Sequence, residues 1–288
     1  MAVKSILITG ATGGIGRDAV LTLARKGHHV IATGRSLEAL ETVKSEANGA
    51  HVDCVHLDVT DAMSISAAVA EVDRLTGNRG IDVLINNAGY MTPSPLAELS
   101  DHDLRAQFDT NVFGLMAVTR AFLPRMFERG GGRILNVSSV SGRVPAPLVG
   151  AYHATKYAVE ALSDALRMEL HAFGIRVVVI EPGTIRTEFA PRSHAEAMRA
   201  RRTDSRYLAA YARADQVQAA ADRVSVGPKC VSRAIERAVT SQRPRARYIA
   251  PKFAWLFILF VALLPTCWVD ALMRQLAGLN RKQLGLVG

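Results

Sequence analysis

The runs SILITG, HVIATG, CVHLDV, VLINNAG, RILNVSS, IRVVVIEPG and, more weakly, RYIAP recur along the chain with longer helix-period segments between them. Each is continuous in apolar residues rather than alternating with polar ones, so a strand built from it must be covered on both faces. Such strands, separated by helices, demand a parallel sheet wrapped on either side: a doubly wound α/β domain whose first strand starts almost at residue 1. Helical patterns fall at 15–26, 61–76, 101–128 and 152–173. No repeat, low-complexity tract or Gly/Ser linker marks a second domain, and 288 residues with 49% hydrophobic content suffice for one large core. Residues 1–252 are read as that domain, with 190–252 as a basic helical lid over the substrate, and 253–288 as a hydrophobic extension.

Cys54, Cys230 and Cys267 are too few and too scattered for a disulfide framework, and no C-x-x-C pair suggests a metal. A reducing, cytoplasmic compartment is the expectation. MAVKSILITG lacks the long apolar core and cleavage site of a signal peptide and is needed as a strand. The formal charge of +9 is unevenly placed: residues 1–190 hold 18 Lys+Arg against 20 Asp+Glu, and residues 191–252 hold 14 against 5. The basic part begins PRSHAEAMRARRTDSR, either as a solvated helical face or as a surface drawn to anions. Aromatic residues for base stacking are scarce there, so nucleic acid is not expected and lipid is the favoured anionic partner.

After the first run comes TGATGGIG, residues 9–16, leading into RDAVLTLARKG. Gly10, Gly14 and Gly16 permit a tight turn and close approach of a pyrophosphate, whose charge the free N–H groups and dipole of a helix start stabilise. The second run ends ATGRS, where Gly34 and Arg35 stand in place of the acid that would hold the ribose hydroxyls of NAD. A guanidinium suits the 2′-phosphate of NADP, and Arg17 is available as a second cation.

TGATGGIG, NNAG at 86–89, NVFG at 111–114, the serine pair before VSG and YHATK at 152–156 together resemble the short-chain dehydrogenase/reductase family over roughly residues 4–190. The resemblance implies a Rossmann-type sheet of about seven parallel strands, a nicotinamide cofactor, and a homodimer or homotetramer. It also implies a catalytic set of Asn111, Ser139, Tyr152 and Lys156, with Ser138 as the alternative serine. By the same resemblance Thr12, Ile15, Asn86, Ala88 and Gly89 join the cofactor site. Asp58 and Val59 match the family's adenine corner, although Asp58 also reads as a helix cap. Pro182, Gly183, Ile185 and Thr187 in PGTIRTEF match the segment that closes over the nicotinamide, where Pro182 also reads as a turn. His153 replaces the small residue common after the tyrosine and is expected only to pack.

The chemistry fits the set. Hydride addition to a ketone builds charge on oxygen, so a proton donor must stand within hydrogen-bond reach. Tyr152 is that donor, Lys156 one turn away favours its phenolate and reaches the ribose, and Ser139 donates to the substrate oxygen. Asn111 ties a water chain to the lysine by analogy with the family.

FAWLFILFVALLP, from residue 253, carries no charge until Asp270. The helix it predicts, 254–264, would span ~17 Å and falls short of a ~30 Å hydrocarbon core. It suits a membrane-surface contact or the mouth of a pocket for a lipid-like substrate, against the plainer reading of a helix packed on the sheet or a partner subunit. The whole reads as an NADP(H)-dependent oxidoreductase of a bulky apolar ketone or secondary alcohol: a steroid, a retinoid or a long-chain keto-lipid. The location is cytoplasmic or peripheral on the inner face of a membrane. The alternative is a non-catalytic NADP(H)-binding sensor or scaffold.

Overall fold

The computed structural model describes residues 2–187, 203–281 and 283–284. Among these, seven strands form one parallel sheet: β1 (Ser5–Ile8), β2 (His29–Gly34), β3 (Val52–His56), β4 (Val83–Asn86), β5 (Gly132–Val137), β6 (Ile175–Pro182) and β7 (Arg247–Ala250). Their order is β3-β2-β1-β4-β5-β6-β7. Ile6 of β1 registers with Val30 on one side and with Val83 on the other. The chain therefore reverses its direction of travel at β1/β4, which opens a crevice at the C-terminal ends of those strands.

The two faces of the sheet carry separate cores, and the period-two alternation of β1 shows the division. Ile6 and Ile8 enter the first core with residues of α1 (Gly14–Ala24) and α2 (Leu37–Glu46). Leu7 enters the second with α3 (Ala62–Leu75) and a long composite helix. That composite is the segment expected at 101–128: α4 (Asp101–Phe108), a π-helical turn (Asp109–Gly114) and α5 (Leu115–Glu128). The extra residue of the π turn rotates Asn111 into a buried position between the two helices. Next comes α6 (Gly150–Glu169), which carries the YHATK motif.

Local capping explains where three of these helices begin. Ser36, Asp61 and Ser100 each accept a hydrogen bond from the backbone two or three residues on, at 3.2, 2.9 and 3.0 Å. Asp58 is not the cap of α3; it accepts instead from the backbone and hydroxyl of Thr60 at 2.9 and 2.7 Å.

The region read as a lid divides in two. Residues 188–202, where PRSHAEAMRA falls, lie outside the described residues. α7 (Leu208–Val224) follows, and then α8 (Lys229–Thr240), which is no lid: Val231, Ile235, Ala238 and Val239 are buried in the first core beside α1. Apolar spacing within an Arg-rich stretch placed that helix against the sheet, where aliphatic burial outweighs the charge on its outer face. Beyond β7 the apolar tail forms α9 (Ala254–Leu263) and, after Pro265, α10 (Thr266–Leu276). No described helix is long and apolar enough to cross a membrane.

Candidate active site and cofactor crevice

The turn between β1 and α1 is built to receive an anion. Unlike the three capped helices, α1 starts at Gly13 with no side-chain cap and no acid in its first turn. Gly10 has φ +63, and a Cβ there would lie 2.9 Å from the Cα of Ala88. A Cβ on Gly16 would overlap the Gly10 carbonyl oxygen and stand 2.6 Å from Asn87 Nδ2. The glycines are thus required by close backbone approach, which leaves an uncovered ring of N–H groups at a helix start. Thr12 packs its methyl where a side chain on Gly34 would go, 3.0 Å from that Cβ position, and Ile15 packs on the first core.

Asn87, passed over in the sequence, fastens this turn. Its amide donates to the carbonyls of Thr9 and Gly10 at 2.9 and 3.0 Å. The backbone N–H groups of Asn87 and Ala88 both donate to Thr9 Oγ1 at 2.9 Å. The neighbouring Asn86, expected at the cofactor, turns its amide into the core, donating to Thr119 and Asn136 at 2.9 Å each. Alternation along β4 sends successive asparagines to opposite faces. Any contact of Asn86 with a cofactor is through its backbone.

Arg35 is exposed at the end of β2, close enough to Asp58 for its charge to act there. Burial works to raise the Asp58 carboxyl, but hydrogen bonds from Thr60 and the charges of Arg35 and His56 hold it below its ordinary value. Arg17 is engaged differently from the expectation, in an ion pair with Glu46 at 2.5 Å. Val59 packs its carbonyl 2.8 Å from where a Cβ on Gly114 would sit, so the NVFG glycine lets the composite helix lie on the adenine corner.

At the far end of the crevice the four residues expected to act together converge. Ser139 follows β5, and its hydroxyl donates to the Pro182 carbonyl at 3.4 Å and accepts from Ser141 N–H at 3.1 Å. Burial pushes the Tyr152 phenol up to about 12, and a hydrogen bond from Ser139 works in the opposite direction. Ser138 is turned away beneath Gly142, where a Cβ would come within 2.9 Å of its hydroxyl. Lys156 is 6% exposed. Its ammonium donates to the Val137 carbonyl at 2.9 Å and stands 5.6 Å from the centre of the Tyr152 ring. Burial pulls it down to about 8, against the charge of Glu160 one turn on.

The protein alone therefore does not lower the phenol: burial governs both groups, opposed at the tyrosine by Ser139 and at the lysine by Glu160. Asn111 sits behind them. Its Nδ2 donates to the Tyr90 carbonyl at 2.9 Å and to Thr155 Oγ1 at 3.0 Å, and its Oδ1 accepts from Tyr90 N–H at 3.0 Å. Thr155 in turn donates to the Tyr152 carbonyl at 2.7 Å, so Asn111 steadies the turn of α6 that presents the tyrosine. A Cβ on Gly89 would lie 3.0 Å from Asn111 Oδ1 and 3.8 Å from Lys156 Nζ. His153 is buried and edge-on to Tyr152, with ring centroids 6.2 Å apart.

Under Lys156 lies a charged cluster that sequence spacing gave no reason to join. Arg247 of β7 reaches Glu160 at 3.1 Å, Asp164 at 2.6 Å and Glu181 at 3.3 Å, and Arg143 reaches Glu181 at 3.1 Å. Glu181 has no exposure, and burial followed by the Glu160 charge raises its carboxyl. The cluster fixes the end of β6, from which the segment expected to close over the nicotinamide departs.

In that segment Ile185 bridges to Val226, and Thr187 stands 3.4 Å from the position of a Cβ on Gly14. The segment thus lies over the phosphate turn. A Cβ on Gly183 would meet Ala254 and Pro251 at 3.4 Å each, so α9 starts directly above Pro182–Gly183. From there the tail is uncovered: Phe253 is 62% exposed, Leu263 74% and Trp268 65%.

This sheet order and this Ser-Tyr-Lys arrangement define a Rossmann-type oxidoreductase. The chain belongs to the short-chain dehydrogenase family, whose model, described as short chain dehydrogenase, matches residues 4–197. It is 36% identical over 271 residues to "Uncharacterized oxidoreductase YbbO" of Escherichia coli (strain K12), with 94% of each chain covered. It is 36% identical over 282 residues to "Retinol dehydrogenase 16" of Mus musculus, covering 94% of this chain and 87% of that one. Among solved structures it is similar to an F189W actinorhodin polyketide ketoreductase with NADPH, at TM-score 0.72 and 29% identity over 86% of this chain and 95% of that one. A short-chain dehydrogenase/reductase from Burkholderia phymatum in complex with NAD gives TM-score 0.78 and 25% identity over 89% and 92%.

Proposed function

We propose that the protein is an NADP(H)-dependent oxidoreductase that interconverts a bulky apolar ketone and its secondary alcohol at a membrane surface. The observation that carries this reading is the convergence of Ser139, Tyr152 and Lys156 beside a segment overhung by an exposed apolar helix. The residues present fit a dinucleotide: an uncapped helix start behind glycines that no Cβ could replace, and a lysine buried at the far end of the same crevice. The bound nicotinamide supplies the hydride. The protein positions the carbonyl on the Ser139 and Tyr152 hydroxyls, Tyr152 delivers the proton to the oxygen, and Lys156 binds the ribose and sets the charge around the phenol.

Preference for NADP rests on Arg35. The relatives and structural neighbours support a nicotinamide cofactor of either kind, among them one protein with NADPH and one with NAD. Arg35→Ala is expected to weaken NADPH binding by roughly tenfold to a hundredfold, the worth of a charge-assisted contact of ~1.5–3 kcal/mol, while NADH binding changes little. Fluorescence titration of both cofactors checks this, and an equal loss for both makes Arg35 structural.

An apolar substrate and membrane contact are supported by α9 and α10, whose large apolar side chains remain in solvent although the chain is folded. Retinol, in the name of the mouse relative, is a bulky apolar alcohol, though a primary one, so it matches the proposed substrate in size and polarity. The basic residues before the tail add attraction to anionic headgroups, with Trp255 and Trp268 suited to the interface. Vesicle flotation with anionic lipid is expected to carry the full-length protein, and 1 M salt, where screening shortens to ~3 Å, to strip it only in part. Charging the apolar face with Phe260→Glu and Leu263→Glu together is expected to abolish flotation while circular dichroism stays unchanged. A full-length protein that stays at the bottom of the gradient defeats the membrane reading and leaves the oxidoreductase reading standing.

A further inference from the structure

We propose that His29, His51 and Asp53 form a binding site for a divalent cation of the zinc, nickel and copper class, at the outer edge of the sheet and away from the catalytic crevice. β2 and β3 register Ile31 with Asp53, and β3 is the edge strand. Side chains two apart on a strand share a face, so His29 stands on the face of Ile31, while His51, the residue just before β3, stands beside Asp53 of that strand. The three donors come from β2, from β3 and from the residue leading into β3 onto one spot.

Their geometry is close to what such a cation needs. Asp53 Oδ2 lies 2.8 Å from His29 Nε2 and 3.7 Å from His51 Nε2. All three ligand atoms fall within 4.8 Å of one another. Donors around a tetrahedral zinc with bonds of ~2.0–2.1 Å are about 3.3 Å apart, a value between the two observed separations. The imidazoles lie stacked, 3.8 Å between centroids and 5° between planes, so binding both to one ion requires the exposed His51 ring to tilt out of the stack. Two imidazoles and one carboxylate favour borderline cations over calcium or magnesium, which prefer oxygen.

Accessibility and anchoring divide suitably between the ligands. The His29 side chain is only 9% exposed and so is held by its surroundings, whereas the His51 ring is 65% exposed and leaves a path for the ion. Arg74 of α3 is near enough to feel the Asp53 charge, but its guanidinium is held by Glu71 through bonds of 2.8 and 2.6 Å, which offsets its repulsion. A site assembled across a strand pair leaves no C-x-x-C or similar spacing in the sequence to mark it.

The ligands stand at or near the N-terminal ends of their strands, and the catalytic group stands at the C-terminal ends. The cation therefore acts on the fold: by tying β2 to the edge strand β3 it stabilises the folded chain in proportion to its occupancy.

The test is isothermal titration of the full chain with zinc chloride, paired with thermal unfolding in the same solutions. The expected result is one saturable site below ~100 µM and a rise in the unfolding midpoint with zinc. His51→Ala, at an exposed ring, and Asp53→Asn, which preserves shape, should each weaken binding at least ~10-fold, since even the groups that only orient metal ligands are worth that much. Cys267→Ser should bind as the parent does. No saturation by ~1 mM zinc, or parental affinity in either His51→Ala or Asp53→Asn, overturns the site.

Discussion

Tyr152→Phe is expected to lower kcat by at least ~100-fold while the cofactor dissociation constant stays within about twofold, because the change deletes one proton donor and little else. The ring remains, and with it the contact to His153 and the packing of α6. Lys156 keeps its bond to the Val137 carbonyl, so the ribose end of the crevice is unaltered. What disappears is the hydroxyl that shares a hydrogen bond with Ser139 and that is proposed to hand its proton to the oxygen gaining charge. Purified parent and variant, compared by NADPH fluorescence titration and by turnover on a panel of apolar ketones, separate the two effects. Near-parental turnover removes Tyr152 from the catalytic role, and no turnover by the parent on any ketone returns the protein to the sensor reading.

Lys156→Met should cost comparable activity and also weaken cofactor binding, since the proposed roles of the lysine are at both the ribose and the phenol. It has a second signature that needs no substrate. Burial draws the native Lys156 down to about 8 from the ordinary lysine value of 10.5. Below pH 8 native and unfolded chains both hold the proton, and the buried charge is a constant cost. Between about pH 8 and 10.5 the native chain has released a proton that the unfolded chain keeps, so native stability rises with pH. Relative to Lys156→Met, the parent should gain stability across this window, approaching about 3 kcal/mol at its top. Urea denaturation of both proteins at pH 7 and pH 10 measures the difference. A gap that is flat or narrows in the other sense means that the lysine is not held as an amine desolvated in this crevice.

The strand runs, the glycine turn and the YHATK spacing were legible because each rests on local physics. Continuous Val, Ile and Leu can only be a strand covered on both faces, and a Tyr and a Lys four apart share one face of a helix. Asn111, Ser139, Tyr152 and Lys156 came through a resemblance carried by motifs, and the fold brings them to one end of the crevice. The break of the tail at Pro265 was legible for the same local reason: proline cannot continue a helix.

Only the tertiary structure decided what depended on partners distant in sequence. Asn86 and Asn87 are chemically identical neighbours, and only the pleat of β4 between β1 and β5 sends one into the core and the other to the phosphate turn. Arg17 found Glu46, while the Arg35 charge acts on Asp58. α8, read as part of a basic lid, became a wall of the first core, because the sheet offered its aliphatic face more burial than solvent could offer its charges. In the protein alone, desolvation governs both the phenol and its lysine, and burial is a property of the assembled fold. Glu160, Glu181 and Arg247 lie far apart along the chain and meet only because β6 pairs with β7 beneath α6. A sequence fixes periodicity and chemistry over a few turns of chain, and which distant charge or apolar face answers them is settled by packing.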